Sequence, residues 1–521
     1  MGEHFLSLYK RIKREYKIAF WGTFIIAMLI HFYKFTNTLL NHDSLANYYS
    51  DQNILGSGRW ALAAACGISS YYNLPWITGI FSCVFIALTV VAIVALFHMK
   101  NPILIGLTGG LLAASPAVTE TFFFQYTADG YMLSMFLSAV AVYFSRMEER
   151  RFFRWILAGI CLCISCGIYQ AYISFALLLA VFYFTDILLD GRCGCWDCFK
   201  WILRMVILFG LSLAAYYGIW QICLHMTDTA VNDYQGISQV GKTSVELLGT
   251  LIGYGWRRSF HTVNNFFLQG DVLEYGFSLY SVLNLIFFVV MAIGILIAVL
   301  KSGISKRLWA VGLLLLCLFA IVPFACIWYF VSSGVGYATR MLQSLVLLYV
   351  ITAVLYEKWA KTLLKEVVCA ILFLVVLNNG IVANICYFYM DLSYERTYAE
   401  ALEIYLEIHD LQEEYEFDKM AMVGTRSAED VVFYKTYEGK LQKEGQYHIV
   451  SNMVHKTLMF ESGLISQFLT NTLGMDVHSL SKEQCEEMKE HPEVQKMPCW
   501  PAEGGMTVIN DVLVIKFAGE E

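Results

Sequence analysis

Eleven predominantly apolar runs, at approximately 18–36, 76–98, 102–118, 130–145, 155–168, 170–189, 203–224, 279–300, 308–330, 342–356 and 367–389, dominate the 521 residues of this chain. A helix needs roughly 17 to 25 apolar residues to cross hydrocarbon. Backbone groups in lipid must also be satisfied within the segment or by its neighbours. The pattern therefore predicts an α-helical polytopic membrane protein with about eleven transmembrane helices. Composition agrees, with 58% apolar and 15% charged residues, against roughly 25% charged in soluble domains. In the run 102–118, Pro102, Pro116 and the Gly109-Gly110 pair fit a broken or re-entrant helix as well as a single span.

Short-loop Lys and Arg favour the cytoplasm. Lys10, Arg11, Lys13, Arg14 and Lys17 precede the first run, Arg146, Arg150, Arg151 and Arg154 follow the fourth, and Arg192, Lys200 and Arg204 follow the sixth. Lys301, Lys306 and Arg307 follow the eighth and Lys358, Lys361 and Lys365 the tenth. The N-terminus is thus expected in the cytoplasm and everything after about residue 390 outside it, in a multi-pass protein of the cytoplasmic (inner) membrane. The basic N-terminal segment has no A-x-A-like cleavage site, so the first run reads as a retained anchor. No basic patch interleaved with aromatics points to nucleic acid, and the net charge of −7 averages regions of opposite sign.

Composition changes at Tyr389-Met390-Asp391, dividing a membrane domain at 1–390 from an extracytoplasmic soluble α/β domain at 391–521. The tail opens with acidic amphipathic helix patterns and closes with Thr507 to Ile509, Asn510-Asp511 and Val512 to Phe517, a hairpin signature. Thirteen of the fifteen cysteines lie in or beside apolar runs, where a thiol packs as a small apolar group. Cys485 and Cys499 lie in the tail, where a disulfide between them is one of two open alternatives. Cys193-Gly-Cys195-Trp-Asp-Cys198 offers three thiols without a nearby fourth ligand, so interfacial packing or acylation fits better than zinc. Between the seventh and eighth runs, 225–278 carries Gly253, Gly255, Arg257, Arg258, His261 and Asp271 among aromatics, as an interfacial helix would.

On this topology, ionisable and polar groups gather at the outer ends of the spans: His42, Asp43, Asp51 and Arg59, then Glu120, Gln125 and Asp129, Tyr169 and Gln170, Arg257, Arg258 and His261, and Tyr337 and Arg340. Ionisable groups at membrane depth cost roughly 2.5 to 3.5 kcal/mol on insertion scales and point to function. Plainer readings stand beside this one. Asp43 fits a solvated cap, Asp129 an N-cap of the next span, Arg59-Trp60 an interfacial anchor, Arg340 a snorkelling cation, and Tyr169 to Tyr172 helix packing. As a constellation, however, one outer carboxylate and several outer arginines suit sugar transfer from a polyprenyl phosphate. That reaction needs a base or orienter for the acceptor hydroxyl and cations for the departing phosphate.

Asn41-His42-Asp43, Gly58-Arg59-Trp60, Tyr126-Thr127-Ala128-Asp129, Gly167 to Tyr172, and Met497-Pro498-Cys499-Trp500-Pro501 ahead of the hairpin together resemble the bacterial glucosyltransferase II family. The resemblance covers most of the chain. It implies the C-type glycosyltransferase (GT-C) membrane fold, an outer-facing site, a polyprenyl-phosphate-linked sugar donor and a surface glycan acceptor such as O-antigen or wall polysaccharide. Carried over, Asp43 is the first-loop acid and general base, and Asp129 orients the acceptor or a cation. His42, Arg59, Glu120, Tyr169, Gln170, Arg257, Arg258 and Arg340 are then candidate donor-phosphate or substrate ligands. No cofactor is firmly implied. The first loop has His-Asp where a double acid would be tidier, a thin site for a divalent cation that takes several oxygens, and metal dependence stays open. A polysaccharide polymerase or ligase, a lipid-linked-sugar flippase and a non-catalytic scaffold are the competing classes. A flippase is disfavoured by the lack of inverted repeats and mid-membrane charges.

Overall fold

The computed structural model describes residues 7, 9–149, 151–232, 248–268, 279–332, 334–425, 457–459 and 462–518. They form two compact units, residues 1–36 with 51–384, and residues 37–50 with 385–521.

The first unit is a helical bundle. Its helices are α1 (Arg14–Thr36), the short α2 (Leu62–Cys66), α3 (Pro75–Phe97), α4 (Pro102–Ala113), α5 (Pro116–Phe123), α6 (Gln125–Phe144), α7 (Phe152–Ile168), α8 (Tyr172–Asp190), α9 (Cys195–Thr227), α10 (Leu248–Leu268), α11 (Leu279–Ser302), α12 (Leu308–Ala325), α13 (Leu347–Trp359) and the start of α14 (Thr362–Glu414). Eight of the described helices are long and apolar enough to cross a membrane: α1, α3, α6, α8, α9, α11, α12 and α14. The count rises to nine with α4 and α5, which are bent by 41° at a short break. The expected runs 155–168 and 342–356 appear as the shorter apolar helix α7 and as α13, preceded by 3-10 turns.

The bend falls at Ala114-Ser115, where Pro116 opens the second helix. Proline cannot donate to the preceding turn, and beside the break His31 Nε2 of α1 donates to the Ala113 carbonyl at 2.9 Å. Gly109 and Gly110 do not make the break. They let α4 lie close to its neighbours, with Thr23 of α1 against Gly109 and Val376 of α14 against Gly110. At the opposite ends of the helices, Lys358 of α13 reaches both carboxylate oxygens of Asp186 at 2.6 Å and Asp190 at 3.1 Å, tying α13 to α8.

Helix α10 is the amphipathic element expected between the seventh and eighth runs. Gly255, Ser259, Thr262, Phe266 and Phe267 are buried along one face, and Arg257, Arg258 and His261 are exposed on the other. Asp271 lies outside the described residues.

The second unit holds the rest of α14, β1 (Lys419–Val423), α15 (Ser462–Leu473), β2 (His478–Ser479), α16 (Lys482–Lys489), α17 (Pro492–Lys496), β3 (Met506–Ile509) and β4 (Val512–Lys516). The sheet order is β2-β1-β4-β3, with β1 parallel to both neighbours and β3-β4 antiparallel. Asn510 and Asp511 both have positive φ, 51° and 59°, as a two-residue type I′ hairpin requires. Trp500 is buried, and its indole donates to Glu407 of α14 at 2.9 Å. Cys485 and Cys499 are free thiols, Cys485 buried against Ala421, Val423 and Val494, so no disulfide joins them.

Candidate active site

Two motifs more than a hundred residues apart build one corner of the bundle. Gly58 sits in the left-handed region at φ 79°, and a Cβ there would collide with the Tyr216 hydroxyl and the Gln170 amide. Only glycine fits such a position without strain. Gln170 Nε2 donates to the Ser57 carbonyl at 2.7 Å and to Tyr216 Oη at 2.9 Å, and that hydroxyl donates to the Gly58 carbonyl at 3.1 Å. Ala61 N–H donates to the Gly167 carbonyl at 2.9 Å. Gly167 also leaves room for the Trp60 ring, which any side chain at 167 would strike. Gly58-Arg59-Trp60 and Gly167 to Tyr172 are thus two halves of one interlock.

The interlock aims Arg59. Its guanidinium lies 4.8 Å from the Tyr169 ring centroid and donates to Tyr131 Oη at 3.1 Å, while Tyr131 and Tyr169 stack at 4.3 Å. Both tyrosines are buried, and what they present is the arginine they hold. Arg340, in the 3-10 turn Thr339–Met341, lies within electrostatic range of the same Tyr169. Its guanidinium stands 4.2 Å over the Phe124 ring and donates to Glu120 Oε1 at 2.7 Å. Arg340 backbone N–H donates to Glu120 Oε2. Glu120 is fully buried in α5 and Arg340 nearly so, a geometry that fixes the arginine's direction. Arg59, Tyr131, Tyr169, Glu120 and Arg340 therefore form one cluster around the α5–α6 junction.

Asp129 lies in the second turn of α6, whose N-cap is Phe124, so it is not the cap of that helix. It is 1% exposed. Oδ1 accepts Gly130 N–H at 2.9 Å, Oδ2 has no hydrogen-bond partner, and no cation pairs with it among the described residues. The Ser69 hydroxyl and the Cys66 thiol are its neighbours from α2 and the loop after it. Gly130 allows that approach, since a Cβ there would press on Cys66 Sγ. A buried carboxylate with an open lone pair is suited to accept a hydrogen bond from a substrate hydroxyl.

Asp43 and His42 belong to the other compact unit. They lie in a 3-10 helix, His42–Ala46, closed by a capping box between Asn41 and Ser44. His42 Nε2 is 3.4 Å from Asp43 Oδ1, and the Asp43 side chain is 48% exposed. Burial raises the Tyr48 phenol above its ordinary value, against a smaller opposing effect of the Thr472 hydroxyl. Arg257 and Arg258 point outward from α10, Arg258 Nε donating to Tyr254 Oη at 3.1 Å. Asp51 is exposed and caps Asn53 N–H, His261 contacts Asn265, Gln125 reaches the Pro75 carbonyl, and Tyr337 Oη accepts from Trp328 N–H. Among the described residues no group of three or more His, Cys, Asp or Glu could hold a metal ion.

Tyr131 and Phe124, two residues to either side of the marked Tyr126-Thr127-Ala128-Asp129 stretch, are not singled out by the sequence. Lys34, buried in the last turn of α1, was missed too. Its signal was visible as a cation inside an apolar run.

These features define a polytopic membrane protein whose bundle holds a buried cluster of acids, guanidinium groups and aromatics. Residues 32–356, more than half of the chain, match the family model described as Glucosyl transferase GtrII. The chain belongs to this family of glucosyl transferases. No curated protein and no solved structure matches it.

Proposed function

We propose that the protein transfers a glucosyl residue from a polyprenyl-phosphate donor to a cell-surface glycan, O-antigen or wall polysaccharide, on the outer face of the cytoplasmic membrane. The observation that carries this reading is two guanidinium groups fixed within the bundle, Arg59 held by tyrosines and Arg340 by a buried glutamate. Two fixed arginines in a bundle suit a phosphate that stays attached to a membrane-bound chain. Topology supports the outer face. Residues 37–50 follow the first span and residues 385–521 follow the last, and the two segments share one compact unit. Their sharing one unit supports placing both on the outer side, given that the positive-inside rule assigns the basic N-terminus to the cytoplasm.

The chemistry is a single displacement. The acceptor hydroxyl oxygen forms a bond to the anomeric carbon, and the bond from that carbon to the phosphate oxygen breaks. The electron pair leaves with polyprenyl phosphate, whose charge Arg59 and Arg340 stabilise. The family resemblance assigns the acceptor's proton to Asp43, with His42 beside it, and the orienting of the acceptor to Asp129. A second reading gives the proton to Asp129, because its Oδ2 is buried and open whereas Asp43 is half exposed.

The test is release of polyprenyl phosphate from synthetic polyprenyl-phosphate glucose in membranes carrying wild type, Asp43→Asn or Asp129→Asn at matched expression. Loss of release in Asp43→Asn, with release lowered but not abolished in Asp129→Asn, supports the first reading. The reverse pattern supports the second, and no release from wild type overturns the proposal.

A further inference from the structure

The 3-10 helix that carries His42 and Asp43 is five residues long, and isolated 3-10 turns of that length hold poorly by themselves. Local bonds close it: the Asn41–Ser44 capping box, Asn47 N–H to the Ser44 carbonyl at 3.0 Å, and Asn47 Nδ2 to the Asp43 carbonyl at 2.7 Å. Further contacts come from the far end of the sequence. Leu40 and Leu45, on either side of Asp43, are 3% and 0% exposed. They share one apolar core with Ile404 of α14, Phe468 and Leu469 of α15, and Leu513 and Ile515 of β4. Asn471 Nδ2, in the last turn of α15, donates to the Leu45 carbonyl at 2.7 Å. The next residue, Thr472, bonds through its hydroxyl to Tyr48 Oη at 3.0 Å. One helix turn thus holds both the final turn of the 3-10 helix and the segment that follows it.

We infer that Asn471 and Thr472 are positioning residues for Asp43, so that the C-terminal unit sets where the first-loop carboxylate stands. The inference rests on the reading of Asp43 as the general base. The apolar contacts of Leu40 and Leu45 hold the segment to the unit but do not fix its rotation. The two polar bonds are directional, and they fix the turn that follows the carboxylate. A base displaced by about 1 Å loses on the order of a hundredfold in rate. Removing either bond therefore acts on turnover and leaves donor binding alone, since neither residue is assigned to the donor phosphate.

The experiment uses the full chain in membranes, with Thr472→Val, Asn471→Leu and the conservative Thr472→Ser compared with wild type and Asp43→Asn for transfer from polyprenyl-phosphate glucose. Thr472→Val and Asn471→Leu should lower kcat by about tenfold to a hundredfold with donor KM unchanged, and Thr472→Ser should restore wild-type turnover. Added to Asp43→Asn, neither should lower the residual rate further, because groups that act through one base are not additive. Wild-type kcat in both α15 variants, with Asp43→Asn inactive, overturns the positioning inference and leaves the Asp43 reading intact. Equal losses in the presence and absence of the Asp43 carboxylate also overturn it, by showing a general structural role. Wild-type turnover in Asp43→Asn overturns the reading on which it rests.

Discussion

Glu120 and Arg340 are separated by 220 positions and meet as a largely buried pair, so removing one member takes the ion pair from the other. Truncating one side of a buried ion pair costs about 3 to 5 kcal/mol, whereas replacing both members by apolar side chains of similar volume is close to neutral. The bundle comprises residues 1–36 and 51–384. At about 2.1 cal/mol/K of unfolding entropy per residue, a cost of that size lowers its melting temperature by about 4 to 6 °C. Glu120→Ala should therefore melt about 4 to 6 °C below wild type in detergent, followed by tryptophan fluorescence. The double variant Glu120→Met with Arg340→Met should recover most of that loss. Recovered stability should not bring back transfer, because the guanidinium assigned to the phosphate is gone. If Glu120→Ala melts with wild type, or if the double variant falls by the sum of the single losses, the pair is not the compensated buried contact described here.

Arg59→Lys keeps the charge but loses the planar stacking on Tyr169 and the aimed bond to Tyr131, so donor KM should rise about tenfold in initial-rate assays, and an unchanged KM would remove Arg59 from phosphate binding. Gly58→Ala places a side chain in the left-handed region against Tyr216 and Gln170, and should cost at least about 1 kcal/mol of stability, read as a lowered melting temperature. Asp129→Asn keeps the shape while removing a buried charge that has no cation partner among the described residues. Its melting temperature should hold or rise by about 1 to 3 °C while transfer falls, and a lower melting temperature with full transfer would assign Asp129 to structure alone.

The periodic and local features were legible in the sequence. Apolar length marked the spanning helices, and Pro116 marked the helix break, because a missing N–H acts on its own turn. Asn510-Asp511 marked the hairpin and the spacing of small residues and arginines marked α10. What could not be read was the pairing of distant residues. Nothing in a single sequence ties Gly58 to Gln170, Glu120 to Arg340, or Leu45 to Asn471, since each contact depends on how whole helices pack. The first loop illustrates this best. Asn41-His42-Asp43 looked like a solvated turn beside a span, yet Leu40 and Leu45 flank it as core residues of the unit that contains the last hundred residues. The two cysteines of the tail failed as a disulfide for a related reason, because compartment permits a bond that packing does not bring about.

The central claim is that glucose arrives on a membrane-bound phosphate. The most direct measurement supplies purified protein in liposomes with an acceptor glycan and either radiolabelled polyprenyl-phosphate glucose or radiolabelled UDP-glucose, and follows label in the glycan. Labelling from the lipid donor alone, abolished by Arg59→Ala, is the predicted result. Labelling from UDP-glucose with the lipid donor inert would contradict the account.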